Sequence, residues 1–158
     1  MKYELTTLVG GIMSGCVSVT AGCNNYETKH ALLVGIIGSV VYFISVVAFE
    51  KLKVDDPLQV SQIHGCCGLW GLISVGIFDR TTGVIFTGDF RHLGVQIVGA
   101  IAIVSWNSLI SVTFFYLLKS QNRLRVGEVV EIFGLDALED ASISKLTKEK
   151  SDSLKNNY

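Results

Sequence analysis

The chain has 158 residues, of which 49% are hydrophobic and 17% are charged, and its formal net charge is −1. No basic stripe with interleaved aromatic residues occurs, so nucleic acid is excluded as a partner. The charged side chains lie near the amino end, in short joints and after Leu118, which disfavours a soluble domain with solvated helix faces.

Four stretches of the chain contain no Asp, Glu, Lys or Arg, and each is close to the roughly 20 residues that a membrane-spanning helix needs. They cover residues 5–23, 31–49, 58–78 and 93–118. The pattern predicts an all-α fold, a polytopic transmembrane helix bundle with four spanning helices in a lipid bilayer. Residues 119–158 are predicted to form a cytosolic tail that is disordered from about residue 144, where Lys, Ser and Asn dominate.

An even number of spans places both ends of the chain on one side of the membrane. Lys and Arg are more frequent near the membrane on that side, so the positive-inside rule predicts that both ends are cytosolic. The residues compared are Lys2, Lys51, Lys53, Lys119, Arg123 and Arg125 on the cytosolic side, and Lys29, Arg80 and Arg91 on the other. We therefore expect an integral membrane protein, located in the plasma membrane.

The first span has a second interpretation. A basic start, an apolar run and then Thr20-Ala21-Gly22-Cys23 also resemble a secretory signal with a small-residue cleavage site. Gly and Ser recur at helix-packing spacing from Gly11 to Gly15, and this favours a span that packs closely against other helices. The signal remains the weaker alternative.

The four cysteines lie in the first and third spans. Because no Cys-x-x-Cys pair occurs, neither zinc-type spacing nor a redox motif is present. The run His64-Gly65-Cys66-Cys67 would direct its ligands to different sides of one helix. We therefore expect no metal and no cofactor, and interpret the cysteines as small apolar residues that fill gaps between helices.

The third span follows a sequence that is typical of a helix start. The carboxylate of Asp56 can bond free backbone N–H groups, and Pro57 suits the first helical position. We predict that Asp55, Asp56 and Pro57 form a structural cap at the cytosolic end of this helix, rather than a substrate site.

His64 lies within this third span. A titratable ring inside a membrane is costly, so it is by default a candidate functional residue. At helical spacing one face is predicted to carry Val60, His64, Cys67, Gly68 and Gly71. A narrow lumen or a close helix contact would lie there. The residues alone leave open that His64 is a buried histidine bonded to a neighbouring helix.

A resemblance to a known family bears on this choice. The stretch Val54 to Gly71, VDDPLQVSQIHGCCGLWG, closely resembles the signature V-D-D-P-x(6)-H-G-x-C-G of the Amt/MEP/Rh ammonium transporter family. Residues 10–23 resemble its glycine-rich eighth span, which ends in I-T-A-G-C. Leu124-Arg125-Val126, with the residues up to Asp136, is similar to its cytosolic tail.

The resemblance implies a fold, a transport function and particular residues. The family has eleven spanning helices, and this chain resembles spans eight to eleven of that ammonium transporter fold, as a carboxy-terminal fragment would. His64 matches the second pore histidine of the family, and Val60 matches an apolar pore-lining position. Ammonium would cross as ammonia through a hydrophobic pore, without an enzyme activity.

The resemblance also implies an assembly. The family forms homotrimers whose tails couple neighbouring subunits, which points to Arg125, Glu131, Gly134 and Asp136 as the subunit-coupling tail. Arg123 replaces the usual glycine there, which puts the coupling in question. Two other functions remain open, a four-span scaffold or regulatory subunit that does not conduct, and a membrane-bound metal enzyme that uses His64 and the cysteines.

Overall fold

The computed structural model describes residues 5–125 together with residues 142 and 145. Residues 5–125 are helical apart from short turns and contain no strand. The helices are α1 (Leu5–Thr20), α2 (Thr28–Leu52), a π-helical segment (Ser61–Cys66) that continues into α3 (Cys67–Phe78), α4 (Val84–Thr87) and α5 (Arg91–Ser120). The all-α prediction is confirmed.

Three of these helical segments are long and apolar enough to cross a membrane. They are Thr28–Leu52 with 25 residues, Ser61–Phe78 with 18 and Arg91–Ser120 with 30. Helix α1 is apolar but has 16 residues, which at 1.5 Å per residue gives roughly 24 Å. The first of the four predicted spans therefore stays a prediction.

The chain divides into two compact units, Met1–Trp106 and Asn107–Tyr158. In the first unit, α1, α2 and α3 pack together around the buried side chains of Tyr42, Ile63 and Cys67. The described part of the second unit consists of residues 107–120 of α5, the turn that follows and the two separate positions 142 and 145.

Much of the apolar surface is exposed. In α5 the buried residue is Ala100, whereas Val98, Trp106 and Tyr116 are each at least 64% exposed. Exposed apolar side chains on long uncharged helices are what a lipid environment favours, because lipid tails are as apolar as the side chains themselves. The helix surfaces therefore fit a bilayer rather than water.

A buried carboxylate joins two loops at the end of α3 that lies away from the π-helical segment. Asp79 is 3% exposed. It accepts hydrogen bonds from the Asn25 amide at 2.8 Å and from the N–H and hydroxyl groups of Thr81 and Thr82 at 2.7 to 3.1 Å. Burial would raise the pKa of Asp79, but these donors outweigh it and hold that pKa well below its ordinary value.

We predict that Asp79→Asn lowers the melting temperature of the purified protein in detergent micelles, with a loss of about 2 kcal/mol from the bonds to the charged group. The exposed Asp89 supplies the control, since Asp89→Asn should leave the melting temperature unchanged. A group with a lowered pKa stabilises the fold above its unfolded pKa of about 3.9, and this contribution is lost as the pH falls through the folded pKa. The difference between wild type and Asp79→Asn should thus be constant from about pH 6 to 8 and shrink below about pH 4. Equal melting temperatures of the wild type and Asp79→Asn at pH 7 would contradict this stabilising role of Asp79.

Candidate functional site

The helix that carries His64 begins at a capped turn. Helix α2 ends at Leu52, and the next residue, Lys53, caps it in the left-handed conformation with a φ of 54°. The Asp56 carboxylate then accepts bonds from the N–H groups of Val60 at 3.1 Å and Ser61 at 2.8 Å. The Ser61 N–H and its neighbours lower the pKa of Asp56, which favours the charged form as a cap.

The helix start differs from the predicted one. Pro57 does not open the helix, because it lies with Leu58 in a turn closed by the bond from Gln59 N to Asp56 O at 3.0 Å. Gln59 then takes a φ of 55°, and helical structure begins at Val60. The physical reason is that proline suits a turn as well as a first helical turn, and the Asp56 side chain reaches over the extra residues. Asp55 is exposed beside this turn.

His64 lies within the π-helical segment Ser61–Cys66. At its end the Cys67 N–H bonds to Gln62 O, five residues back, so the segment has more residues per turn than an α-helix. Single π turns inside α-helices occur frequently at functional sites. Sequence patterns did not predict this one.

The predicted single face is split in the structure. Val60 is 49% exposed and His64 is also exposed, but Cys67 and Gly71 are buried. The prediction that these residues share one face is wrong, because the wider π turn between His64 and Cys67 rotates the later residues away from it. His64 therefore lies on the exposed face, and Cys67 and Gly71 lie on the buried face that contacts the neighbouring helices.

The buried face packs very closely against α1 and α2. The Cys67 thiol lies 3.4 Å from Gly38 O, and the Ser18 hydroxyl lies 3.4 Å from Cys67 O. A Cβ atom placed on Gly71 would be 2.8 Å from Ser18 O. These close contacts fix the position of α3 relative to α1 and α2. They therefore also fix the position of His64, which lies on the opposite side of the same helical span.

A second group of contacts holds the start of the helix. Tyr42, which is 2% exposed in α2, donates a hydrogen bond to Gln59 Oε1. With its amide nitrogen turned toward Asp56, Gln62 donates to Asp56 Oδ2 at 2.8 Å and to Gln59 O at 3.2 Å. The π-helical segment is thus tied to α2 and to the capping turn.

A search against family models gives a match over residues 1–142 to the model described as Ammonium Transporter Family. The chain belongs to the ammonium transporter family. Similar curated proteins include ammonium transporter 1 member 3 of Solanum lycopersicum, 34% identical over 151 residues, which are 85% of this chain and 33% of that protein. Ammonium transporter 1 member 2 of Arabidopsis thaliana is 34% identical over 146 residues, 85% of this chain and 28% of that protein.

A third relative is ammonium transporter 1 member 1 of Arabidopsis thaliana, which is 32% identical over 148 residues, 85% of this chain and 30% of that protein. The chain thus spans about 30% of the length of the relatives that it matches. Together with its long apolar helices, the match makes this member of the ammonium transporter family an integral membrane protein.

The other predicted site residues of this chain lie in the tail. Arg125 is exposed at the end of the continuous described part. Glu131, Gly134 and Asp136 lie outside the described residues, as does most of the region from 144 onward for which disorder was predicted. The subunit-coupling role of the tail stays a prediction.

Sequence reasoning missed two polar positions in the described part. Asp79 carried a local signal, since Asp followed by Thr two and three residues later is typical of a turn in which the carboxylate bonds the backbone. Tyr42 carried none, because its partner Gln59 is 17 residues away and lies on a different element.

Proposed function

We propose that this chain is the carboxy-terminal part, spans eight to eleven, of a homotrimeric ammonium transporter of the plasma membrane, with both of its ends cytosolic. Within that protein, His64 and Val60 line the conduction path for ammonium or ammonia. The tail residues Arg125, Glu131, Gly134 and Asp136 couple neighbouring subunits.

The exposure of His64 carries the proposal. The ring lies on the open side of a helix whose opposite side is packed against α1 and α2. Leaving a titratable ring against acyl chains inside a span is unfavourable, so this side requires protein or a narrow aqueous lumen next to it. Since the chain spans about 30% of the length of its relatives, the remaining helices of such a transporter can supply that second wall.

The chemistry of the ring fits a neutral substrate. A neutral imidazole offers one donor and one acceptor, and both can bond to ammonia or pass a proton. Val60, one helical turn earlier, contributes an exposed apolar side chain that cannot replace the water ligands of a hydrated cation. Sodium and potassium cannot lose a proton and become neutral, so an apolar lumen excludes them, whereas ammonium can cross as ammonia.

The test uses a yeast strain that lacks its own ammonium uptake. The full-length parent protein should restore growth on low ammonium and take up labelled methylammonium, and unlabelled ammonium should compete. A parent protein that reaches the plasma membrane but transports neither compound would overturn the proposal and favour the four-span scaffold.

We predict that the 158-residue chain expressed alone in the same strain does not restore growth. The reason is that the open side of His64 would face lipid or collapse onto other side chains, which leaves no lumen. Immunoblotting of the membrane fraction controls for its presence. Growth supported by the chain alone would show that it forms a complete conduction path. It would contradict the proposal that other helices must supply the second wall beside His64.

A further inference from the structure

We propose that Tyr42 is a positioning residue for transport, because its hydroxyl fixes the π turn that places His64. The inference rests on the proposed function, since it concerns how the histidine of the conduction path is placed. It adds a residue on α2, away from the path itself.

The placement of His64 depends on the backbone. Within residues 5–125 the imidazole has no hydrogen-bond partner, so no hydrogen bond holds the ring in place. Its direction is therefore set by the turn Ser61–Cys66. A π turn is rare and has to be maintained by contacts around it, since the same residues could form an ordinary α-helical turn.

Those contacts converge on Gln59. Its φ of 55° is unusual for a residue with a side chain, so the surrounding structure must hold it there. Gln59 O accepts the Ile63 N–H at 3.0 Å, which is a backbone bond into the π-helical segment. Its side-chain oxygen accepts the Tyr42 hydroxyl, so one residue links α2 to the start of the turn.

Tyr42 is well placed to act as a fixed point. Its ring is 2% exposed and lies against Gly10 of α1, where a Cβ atom would collide with the phenol. The same ring packs in the core beside Ile63 and Cys67, which flank His64 on the buried side. Rotation of the ring is therefore restricted, and its hydroxyl can hold Gln59 in one position.

The chain offers a matched control for the loss of this hydroxyl. Tyr26 makes a hydrogen bond of 2.6 Å with Ser74 Oγ, on the same helical span but beyond the π turn. Tyr42→Phe and Tyr26→Phe therefore each remove one phenol hydroxyl from a bond to this span. Only the first removes it next to the segment that carries His64.

The experiment measures initial uptake of methylammonium by the full-length parent protein. Tyr42→Phe should lower Vmax about fivefold, as expected for one lost hydrogen bond to a step that needs the histidine in place, with KM unchanged. Tyr26→Phe should leave both constants unchanged. Gln59→Leu should reproduce Tyr42→Phe, and the double variant should be no slower than the slower single one, because both changes remove the same bond.

Hydrogen exchange separates placement from general stability. In Tyr42→Phe, deuterium uptake should rise in peptides that cover residues 60–66 and stay unchanged in α5. The inference would be overturned if Tyr42→Phe had the same Vmax and the same deuterium uptake in residues 60–66 as the wild type. Loss of both Tyr42→Phe and Gln59→Leu from the membrane, with Tyr26→Phe retained, would also overturn it, since the bond would then serve folding. If His64→Ala transports normally, the proposed function fails. If His64→Ala is slow and Tyr42→Phe is not, only this inference fails.

Discussion

In the full-length parent protein, His64→Ala is expected to lower the initial rate of ammonium and methylammonium uptake about tenfold or more, because it removes hydrogen bonds of the imidazole to the substrate that are worth about 1.4 kcal/mol or more. The exposed position of His64 explains why folding should be spared, since replacing an exposed side chain by Ala leaves the buried contacts of the bundle in place. Uptake is measured with labelled substrate and divided by the amount of transporter in the plasma membrane.

The control variant is His92→Ala. This histidine is the second residue of α5, a different helix from the one that carries His64, and its Nε2 is 3.3 Å from Gln96 Nε2. Its replacement should leave uptake unchanged. Normal uptake by a well-expressed His64→Ala protein would remove the pore role of His64 and, with it, the central part of the proposed function.

Much of the helical arrangement could be predicted from the sequence. Long runs without charged residues identify spans because the bilayer sets a minimum apolar length, and α2 and α5 begin within three residues of the predicted bounds. The signature around His64 led to the family, which the match over residues 1–142 confirms. Length, apolarity and motif spacing are properties of the local sequence, so local reasoning was sufficient for them.

The π turn could not be predicted, for a physical reason. Predicting faces from helical periodicity assumes 3.6 residues per turn, and the residue types at positions 61–66 do not indicate a π-helical turn. The departure is held by contacts between distant positions, above all the bond from Tyr42 to Gln59. The assignment of Cys67 and Gly71 to the face of His64 was wrong for this reason, although a motif had located the histidine itself.

Gly71 is the position at which this packing can be tested most directly. We predict that Gly71→Ala destabilises the parent protein by about 1–3 kcal/mol, because overpacking a closely packed helix contact forces the backbone to shift. The new Cβ would be 2.8 Å from Ser18 O, which belongs to the backbone of α1 and cannot rotate away as a side chain could. Ser18 is also fully buried, with its hydroxyl bonded to Ser14 O at 2.8 Å.

Gly68→Ala is the matched control, since it makes the same substitution one turn earlier in α3, where a Cβ would meet nothing within 4 Å among the described residues of this chain. Both changes gain the same intrinsic helix propensity of about 1 kcal/mol, so their difference isolates the contact with α1. The melting temperature in detergent micelles should fall for Gly71→Ala and stay level or rise for Gly68→Ala. Equal melting temperatures for the two variants would contradict close backbone packing of α1 and α3 at Ser18. The contacts opposite His64 would then not fix the position of α3.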